Sequence, residues 1–397
     1  MALVVRLLLG LPLALLVSGC TYTEVPFGPD PDNKGVVARA MEQGGHFLDD
    51  SWFVTAYPRG WTYAACPLLI PPHTSPRFGA THGFVGIVGA LNLTGVPEMF
   101  IDGMNADGLM ASALVFSGAM YGEPRACGTS SDGTTVIDFG AFVPWALSQH
   151  ATVAELVAAL PRVRVVDSGS AELRAVLGKG FKSHWAVRDR SGASVLIQAL
   201  DGTGVMTVWN NTVGVATNDP PFDWHVTNTA QYAPISNGFV RTINPPPWDA
   251  VPFVPQPRGH GYNLIGLPGG LTPASRFVRT FVAKHLAVTN TRPKTEIEAI
   301  NLGAKLLNAV DIPDGVVTKT GMLDVGDWTT WAVIKSPSTG LFMWRSYTNS
   351  RWQSINMRDL TAFFLTSSAL RRLQLYVPGF GNNDVTGELL QSGIFRS

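Results

Sequence analysis

One cysteine, Cys20, stands where proteolytic processing would make it the first residue of the mature chain. It follows an apolar run at residues 7–17 and the small residues Ser18 and Gly19. The run is too short to span a bilayer and, with Arg6 as a basic start, has the form of a secretory leader. Cleavage after Gly19 would place a thiol and a free α-amine on the same residue.

Such a residue carries a nucleophile together with its own base. An α-amine has a pKa of roughly 7.7–8.0, so a useful fraction is neutral near pH 7 and can accept the thiol proton. A thiolate also needs a nearby cation to lower its pKa. Arg39 ends the second of two predicted strands, and a hairpin would place it beside Cys20. Glu42 follows and could hold either Arg39 or the ammonium group.

The leader is open to a second interpretation. The string Val17-Ser18-Gly19-Cys20 also fits a lipoprotein box, in which the cysteine sulfur is lipidated. The protein would then be a lipid-anchored, non-catalytic binding protein, because both the nucleophile and the base would be blocked. Under either interpretation residues 1–19 are expected to be a signal peptide. The mature protein is expected in the periplasm or outside the cell, with a membrane anchor in the second case.

Composition bounds the classes of function. The 397 residues carry 29 basic and 29 acidic side chains, so charge gives no argument for a nucleic-acid partner. The 8 histidines show no pair at metal-ligand spacing, and no G-x-S-x-G motif occurs. We therefore predict no metal and no cofactor. In an oxidising compartment Cys66 and Cys127 could form a disulfide, which would leave Cys20 single.

The elements that must position these residues are strands and helices in alternating groups. Alternating patterns and turn residues predict strands at 21–29, 34–40, 81–88, 97–102, 109–116, 184–189, 194–200, 204–209, 212–217, 328–335 and 340–347. The pair Asn210-Asn211 predicts a two-residue hairpin turn. Helices are predicted at 136–149, from Thr152 with Glu155 as a capping box, near 273–287, at 294–310 and near 357–365. This order predicts an α+β fold with helices packed on sheets, in one catalytic domain over residues 20–397.

Four segments resemble the choloylglycine hydrolase family, which also contains the penicillin V acylases. They are Cys20-Thr21 with residues 38–42 (ARAME), residues 102–109 (DGMNADGL), residues 217–225 (TNDPPFDWH) and residues 266–277 (GLPGGLTPASRF). They occur in the family's order across essentially the whole mature chain. The resemblance implies a four-layer αββα sandwich of the N-terminal-nucleophile hydrolase type. It also implies a homotetramer, as in many members, helped by a proline-rich arm at 236–262.

The resemblance assigns roles to the first group of residues. Cys20 matches the nucleophile that attacks the amide carbonyl, and Arg39 matches the guanidinium that lies against the thiolate. Glu42 stands where many members have aspartate. The segment between Cys20 and Arg39 is a few residues longer than in many members, and an extended turn at 29–35 would absorb the difference.

The later motifs complete the implied site. Asn105 and Asn218 match residues that form the oxyanion hole, and Arg276 matches a second arginine that orients and charges the site. Candidates for the acyl pocket are Met41 and the aromatic residues of the loops: Trp61, Tyr63, Phe116 and Tyr121.

The resemblance implies hydrolysis of a linear amide that joins a bulky apolar acyl group to a small polar amine, through an acyl-thioester on Cys20. Substrates in the family include conjugated bile salts, penicillin V and long-chain acyl-homoserine lactones. The residues do not separate these substrates.

Overall fold

The computed structural model of the chain describes residues 19–29, 34–43, 51–68, 74–89, 98–123, 126–169, 182–236, 261–317, 326–376 and 385–392. Residues 1–18 of the expected signal peptide, most of the turn at 29–35 and most of the proline-rich arm lie outside the described residues. No helix of the described segments combines the length and the apolar character that a membrane crossing requires.

The strands of the described segments are named in chain order. They are β1 (Gly19–Pro26), β2 (Gly35–Gln43), β3 (Trp52–Tyr57), β4 (Thr62–Ala64), β5 (Arg77–Gly79), β6 (Phe84–Gly89), β7 (Met99–Asn105), β8 (Met110–Val115), β9 (Gly128–Thr129), β10 (Thr135–Asp138), β11 (Val163–Val166), β12 (Ser183–Arg188), β13 (Ser194–Gln198), β14 (Thr207–Asn210), β15 (Val215–Ala216), β16 (Trp328–Ser336), β17 (Leu341–Ser346), β18 (Gln353–Asn356) and β19 (Arg371–Gln374).

The helices are named in the same way. They are α1 (Phe142–Gln149), α2 (Val153–Ala159), α3 (Phe222–Asn228), α4 (Pro273–Thr291), α5 (Glu296–Asn308), α6 (Thr361–Thr366) and α7 (Thr386–Gln391). Short 3-10 turns lie at Phe139–Ala141, Leu160–Arg162, Thr229–Tyr232 and Tyr262–Leu264.

Two large antiparallel sheets form the centre of the molecule. One has six strands in the order β15-β1-β2-β16-β17-β18, and the other has eight in the order β14-β13-β12-β8-β7-β6-β3-β19. The hairpin predicted from the N-terminal strands is present, and its register sets Cys20 opposite Met41 and Tyr22 opposite Arg39.

Strand alternation sorts the apolar side chains into three layers. On β8, Met110 and Leu114 belong to a cluster between the two sheets, whereas Ala111 and Ala113 belong to a cluster against α1. A third cluster packs the other face of the six-stranded sheet against α5. The layers therefore follow the order helix, sheet, sheet, helix. The predicted α+β, four-layer αββα architecture is confirmed.

Two predictions of local structure are wrong. The helix predicted at 136–149 begins only at Phe142, because Thr135–Asp138 form β10, which pairs with β11. The dipeptide Asn210-Asn211 does not close a hairpin. The strand before it pairs with β13 in the eight-stranded sheet, while β15 after it pairs with β1 in the six-stranded sheet. The segment thus crosses between the sheets and delivers Asn218 to the start of β1.

Helix caps and one disulfide fix the surroundings. Thr152 accepts a hydrogen bond from the Glu155 amide at 3.1 Å, as the capping box predicts. Thr272 caps α4 in the same manner through the Ser275 amide, at 3.2 Å, which places Arg276 in the first turn of that helix. Cys66 and Cys127 are joined in a disulfide, and Cys20 is free.

Candidate active site

The Cys20 thiol lies between the two sheets and is completely buried. Arg39 lies two residues before Met41, the partner of Cys20 on β2, so the side chains of Arg39 and Cys20 point to the same face. The Nη2 of Arg39 donates to the Cys20 sulfur at 3.0 Å. The Met41 sulfur lies 3.6 Å from the Cys20 sulfur. Met41, a predicted pocket residue, therefore contacts the predicted nucleophile.

Arg39 has no acidic partner among the described residues. Its Nη2 also donates to the Ala113 carbonyl at 3.0 Å, and its Cζ lies 4.4 Å from the centre of the Trp331 ring. The ion pairs of the described segments involve other cations. The charge of Arg39 is therefore available to a thiolate at Cys20.

The backbone of Cys20 is held by two other predicted residues. Its nitrogen donates to Asn218 Oδ1 at 2.9 Å, and its carbonyl accepts from Arg276 Nη1 at 2.8 Å. Arg276 Nη2 donates to the same Asn218 oxygen at 2.8 Å. Arg276 Nη1 is also 2.7 Å from the hydroxyl of Thr21, a contact that the sequence did not indicate. The nitrogen that processing would free is thus already oriented.

Glu42 pairs with Arg276 and not with Arg39. Positions 39 and 42 are an odd number of residues apart, so the two side chains leave opposite faces of β2. Glu42 Oε2 lies 3.2 Å from Arg276 Nη1, and Oε1 has no hydrogen-bond partner. Burial raises the pKa of Glu42 to about 7, against the opposing effects of Arg276 and Arg39.

The Cys20 thiol needs a base. Burial raises its pKa above the ordinary value, and the Arg39 charge opposes this; the Glu42 charge raises the pKa further, and the Val115 amide lowers it. The net pKa is raised, so the thiol keeps its proton near pH 7 while Gly19 is still attached. The nearest candidate base is the Cys20 nitrogen, which becomes basic only as a free amine.

The backbone of Val115 is a functional group that the sequence did not indicate. Its amide is directed at the Cys20 sulfur, and its carbonyl accepts from Asn218 Nδ2 at 2.8 Å. A backbone donor has no side-chain signature, so only the fold can reveal it. Together with the remaining N–H of Asn218, this amide could stabilise an oxyanion.

The structure does not bring Asn105 to this site, which corrects the predicted oxyanion role. Its amide nitrogen donates to the carbonyls of Leu147, at 2.9 Å, and His150, at 2.7 Å. Its Oδ1 accepts from the backbone amides of Asp107 and Leu109. Asn105 thus closes the turn between β7 and β8 against α1. It precedes the start of β8, whereas Val115 ends that strand.

Most of the predicted pocket aromatics are also placed elsewhere. Tyr63 belongs to the cluster against α1, where its hydroxyl lies 3.0 Å from the Ser148 hydroxyl; Trp61 and Tyr121 pack on the same cluster. They lie on the far face of the eight-stranded sheet from Cys20, because that sheet separates the two clusters. Phe116 follows Val115 and stacks on His184 with ring centres 4.9 Å apart.

The aromatic residues that do share a cluster with Cys20 were not predicted. Trp331 and Trp52 meet edge to face at 5.4 Å in the inter-sheet cluster. Trp331 reaches the site through the pairing of β16 with β2, which joins residues about 290 positions apart and leaves no local pattern.

The segment that carries Asn218 is fixed by its own polar residues. Asp219 accepts from the amides of Ser117 and Gly118, both at 2.8 Å, and His225 Nε2 lies 3.0 Å from the Asn218 carbonyl. Burial lowers the pKa of His225, which therefore stays neutral and serves as a support. The described segments hold no cluster of His, Cys, Asp and Glu that is arranged for a metal ion.

Comparison with known proteins decides the family. A sequence model of the linear amide C–N hydrolases, choloylglycine hydrolase family, matches residues 29–366. The chain belongs to this family. The hydrolase is 28% identical over 258 residues to a bile salt hydrolase/transferase of Clostridium perfringens, covering 65% of this chain and 72% of the relative. It is 26% identical over 259 residues to one of Lactiplantibacillus plantarum, covering 65% and 73%.

Solved structures agree with the fold of the hydrolase. A variant of the conjugated bile acid hydrolase from Clostridium perfringens superimposes with a TM-score of 0.73 at 22% identity, over 91% of this chain and 99% of the other. The penicillin V acylase from Agrobacterium tumefaciens gives a TM-score of 0.61 at 21% identity, over 90% and 92%. The protein is therefore an enzyme that hydrolyses linear amide C–N bonds, built on the αββα sandwich.

Proposed function

We propose that the protein is an exported amidohydrolase in which Cys20 becomes the N-terminal nucleophile. One observation carries the proposal: the two reactive atoms of Cys20 have separate partners. Arg39 lies 3.0 Å from the sulfur, and Asn218 Oδ1 lies 2.9 Å from the nitrogen. A structural cysteine has no need of either contact.

The first half of the reaction forms an acyl-thioester. Removal of residues 1–19 frees the α-amine at the position that Asn218 already holds. The amine accepts the thiol proton, and the thiolate, stabilised by Arg39, attacks the amide carbonyl. As the sulfur loses its charge, the Val115 amide and the second N–H of Asn218 Nδ2 turn to the oxyanion. The intermediate collapses when the ammonium gives its proton to the leaving amine and the C–N bond breaks.

The second half releases the acid. Water gives a proton to the free α-amine and attacks the thioester. The second tetrahedral intermediate releases the acid when the C–S bond breaks and the ammonium returns its proton to the departing sulfur. Arg276 keeps its bonds to Cys20, Asn218 and Glu42 throughout, so its role is to fix the terminus. The reaction consumes one water and returns the thiol and the amine to their starting states.

We propose as substrate an amide between a bulky apolar acyl group and a small polar amine. The apolar contacts at the sulfur support an apolar acyl group, with Met41 at 3.6 Å and Trp331 in the same cluster. The relatives named above are bile salt hydrolases, and the family also contains penicillin V acylases. A homotetramer is proposed from the same resemblance, and native mass spectrometry of the mature protein measures it.

The lipoprotein alternative rests on the string Val17-Ser18-Gly19-Cys20. A diacylglyceryl group on the sulfur would have to displace the buried contact with Arg39. The catalytic proposal therefore expects an unmodified terminus in the periplasm or outside the cell.

The test combines a mass with a substrate panel. We expect the intact mass of the purified mature protein to begin at unmodified Cys20. The panel contains a glycine-conjugated bile salt, penicillin V and a long-chain acyl-homoserine lactone, and release of the amine is measured. We expect Cys20→Ser to lose at least ~10²-fold in turnover of any substrate that the wild type cleaves, because a hydroxyl is a far weaker nucleophile at neutral pH.

The double variant Cys66→Ser/Cys127→Ser is the matched control, because it removes the other cysteines and keeps Cys20. It should retain turnover at temperatures where it stays folded. Full turnover by Cys20→Ser, or a lipid on the mature terminus, would refute the proposal.

A further inference from the structure

Arg39 is a buried cation with an uncommon set of partners. Among the described residues, all of its side-chain hydrogen bonds are donated by Nη2. This nitrogen donates to the Cys20 sulfur and the Ala113 carbonyl at 3.0 Å each, and to the Met41 sulfur at 3.1 Å. Its Nε and Nη1 are buried without a hydrogen-bond partner. A buried charge normally requires pairing. The remaining contact is the face of Trp331, whose ring centre lies 4.4 Å from Cζ.

We propose that Trp331 is a positioning residue, which holds the Arg39 guanidinium so that Nη2 points at the Cys20 sulfur. The role rests on the proposed function of Cys20, because it acts through Arg39 on that thiol. The aromatic face supplies the attraction that Nε and Nη1 lack from hydrogen bonds. Cation–π attraction grows when both groups are removed from water, and here Arg39 is 0% and Trp331 1% exposed.

Strand alternation aims Trp331 at the site. On β16, Trp331 pairs with Met41 and Val333 pairs with Arg39, so both side chains leave the inter-sheet face of the six-stranded sheet. A β-bulge comes immediately before this regular run: Thr329 pairs with Glu42, so Thr330 is an extra residue in the ladder.

Two hydrogen bonds and one ring contact lock this arrangement. The Thr330 hydroxyl donates to the Met41 carbonyl at 3.1 Å, and the Tyr376 hydroxyl donates to the Thr330 carbonyl at 3.0 Å. Trp52 meets the Trp331 ring edge to face. The indole Nε1 of Trp331 has no hydrogen-bond partner, so Trp331 interacts with Arg39 through its ring face and makes no hydrogen bond through its polar edge.

The charged groups around the thiol define the electrostatic background of the test. The Cys20 thiol is faced by Arg39 from β2, while Glu42 acts on it electrostatically from the other face of that strand. Arg276 of α4 donates to the Cys20 carbonyl, and the proposed mature protein adds its own α-amine. On the far side of Arg39, Lys335 of β16 is paired with Asp102 of β7. A substitution at Trp331 leaves all of these groups in the chain.

The experiment measures alkylation of Cys20 by iodoacetamide in the mature full-length protein between pH 6 and 9, followed by mass spectrometry. We expect Trp331→Leu to raise the pH midpoint by about one unit and to slow alkylation at pH 7 about tenfold, because the guanidinium leaves the sulfur. Trp331→Phe keeps a ring face and should recover most of the wild-type rate. Trp344→Leu is the matched control, since Trp344 is buried on the same sheet face but lies opposite Val333.

The outcomes separate the proposal from general loosening of the core. A wild-type midpoint in folded Trp331→Leu would overturn it, and so would an equal shift in Trp344→Leu. If Trp331→Leu does not fold, Trp331→Met and Trp331→Phe decide. An alkylation midpoint that is lower in Trp331→Phe than in Trp331→Met supports the role of the ring face. Equal midpoints in the two variants overturn it.

Alkylation reports on the sulfur without any substrate. Failure of the proposed function would show as turnover by Cys20→Ser, whereas failure of the Trp331 role would show as an unmoved alkylation midpoint. The two results are independent.

Discussion

Two buried cations lie side by side between the sheets, and they are treated in opposite ways. Lys335 on β16 and Arg39 on β2 are both fully buried. Lys335 is ion-paired with Asp102 of the other sheet and lies 3.1 Å from the Ser112 hydroxyl. Arg39 contacts a thiol, a thioether, a carbonyl and an indole face.

The difference separates a structural charge from a functional one. The Lys335 charge is neutralised where it sits and ties the two sheets together. The Arg39 charge has no carboxylate among the described residues, so it remains free to stabilise negative charge on Cys20. A buried polar atom without a partner requires an explanation, and Arg39 carries two of them.

The largest effect is expected from Lys335→Met. This change leaves the Asp102 carboxylate buried, with the Ser112 hydroxyl as its hydrogen-bond partner among the described residues, so we expect the free energy of unfolding to fall by about 3–5 kcal/mol. Urea unfolding measures it. The double variant Lys335→Met/Asp102→Leu should recover most of the loss, and an equal loss in both variants would argue against a neutralising pair.

The same substitution at the other cation should give the reverse pattern. Arg39→Met leaves no carboxylate of the described residues without an ion-pair partner. We therefore expect a smaller decrease in the free energy of unfolding than for Lys335→Met. The alkylation rate of Cys20 at pH 7 should fall about 10–100-fold, because the thiol pKa rises when its cation is lost. If Lys335→Met slows alkylation as much as Arg39→Met, the two cations do not differ in function.

The smallest effect concerns Glu42, which faces the other side of the sheet. Its pKa of about 7 lies above the ordinary 4.5, so the stability from its protonated form is complete below pH 4.5 and is lost as pH rises through 7. Glu42→Gln removes this titration. The unfolding free energy of wild type minus variant should therefore decrease by about 1 kcal/mol between pH 5 and 8. This is less than the full linkage, because the proposed mature terminus would place an ammonium nearby. A rising difference would contradict the assignment.

The sequence predicted the fold and the contacts of Cys20 where short motifs carried the information. Arg39, Asn218 and Arg276 all reach Cys20. Arg39 lies in the middle of β2, Asn218 follows the end of β15, and Arg276 follows the cap of α4. Most strands of the central sheets were also predicted, because alternation is a local signal, but β3, β18 and β19 were missed.

The failures involve information that is not local. Asn105 lies in a motif, but its side chain uses its hydrogen bonds on the turn between β7 and β8 and on α1. The motif therefore marked a structural element and not a reacting group. Trp61 and Tyr63 looked like pocket residues until the sheet faces were known. Trp331 and the Val115 amide could not be found, because one depends on the register of a distant strand pair and the other has no side-chain signature.

The most direct test of the central claim is to trap the acyl-enzyme. The mature protein is quenched in acid during turnover of a panel substrate that it cleaves, and its peptides are mapped by mass spectrometry. We predict a terminal peptide that starts at Cys20 and carries the mass of the acyl group, removable by hydroxylamine. An acyl group on any other residue, or a terminal peptide that starts elsewhere or carries lipid, would contradict the account.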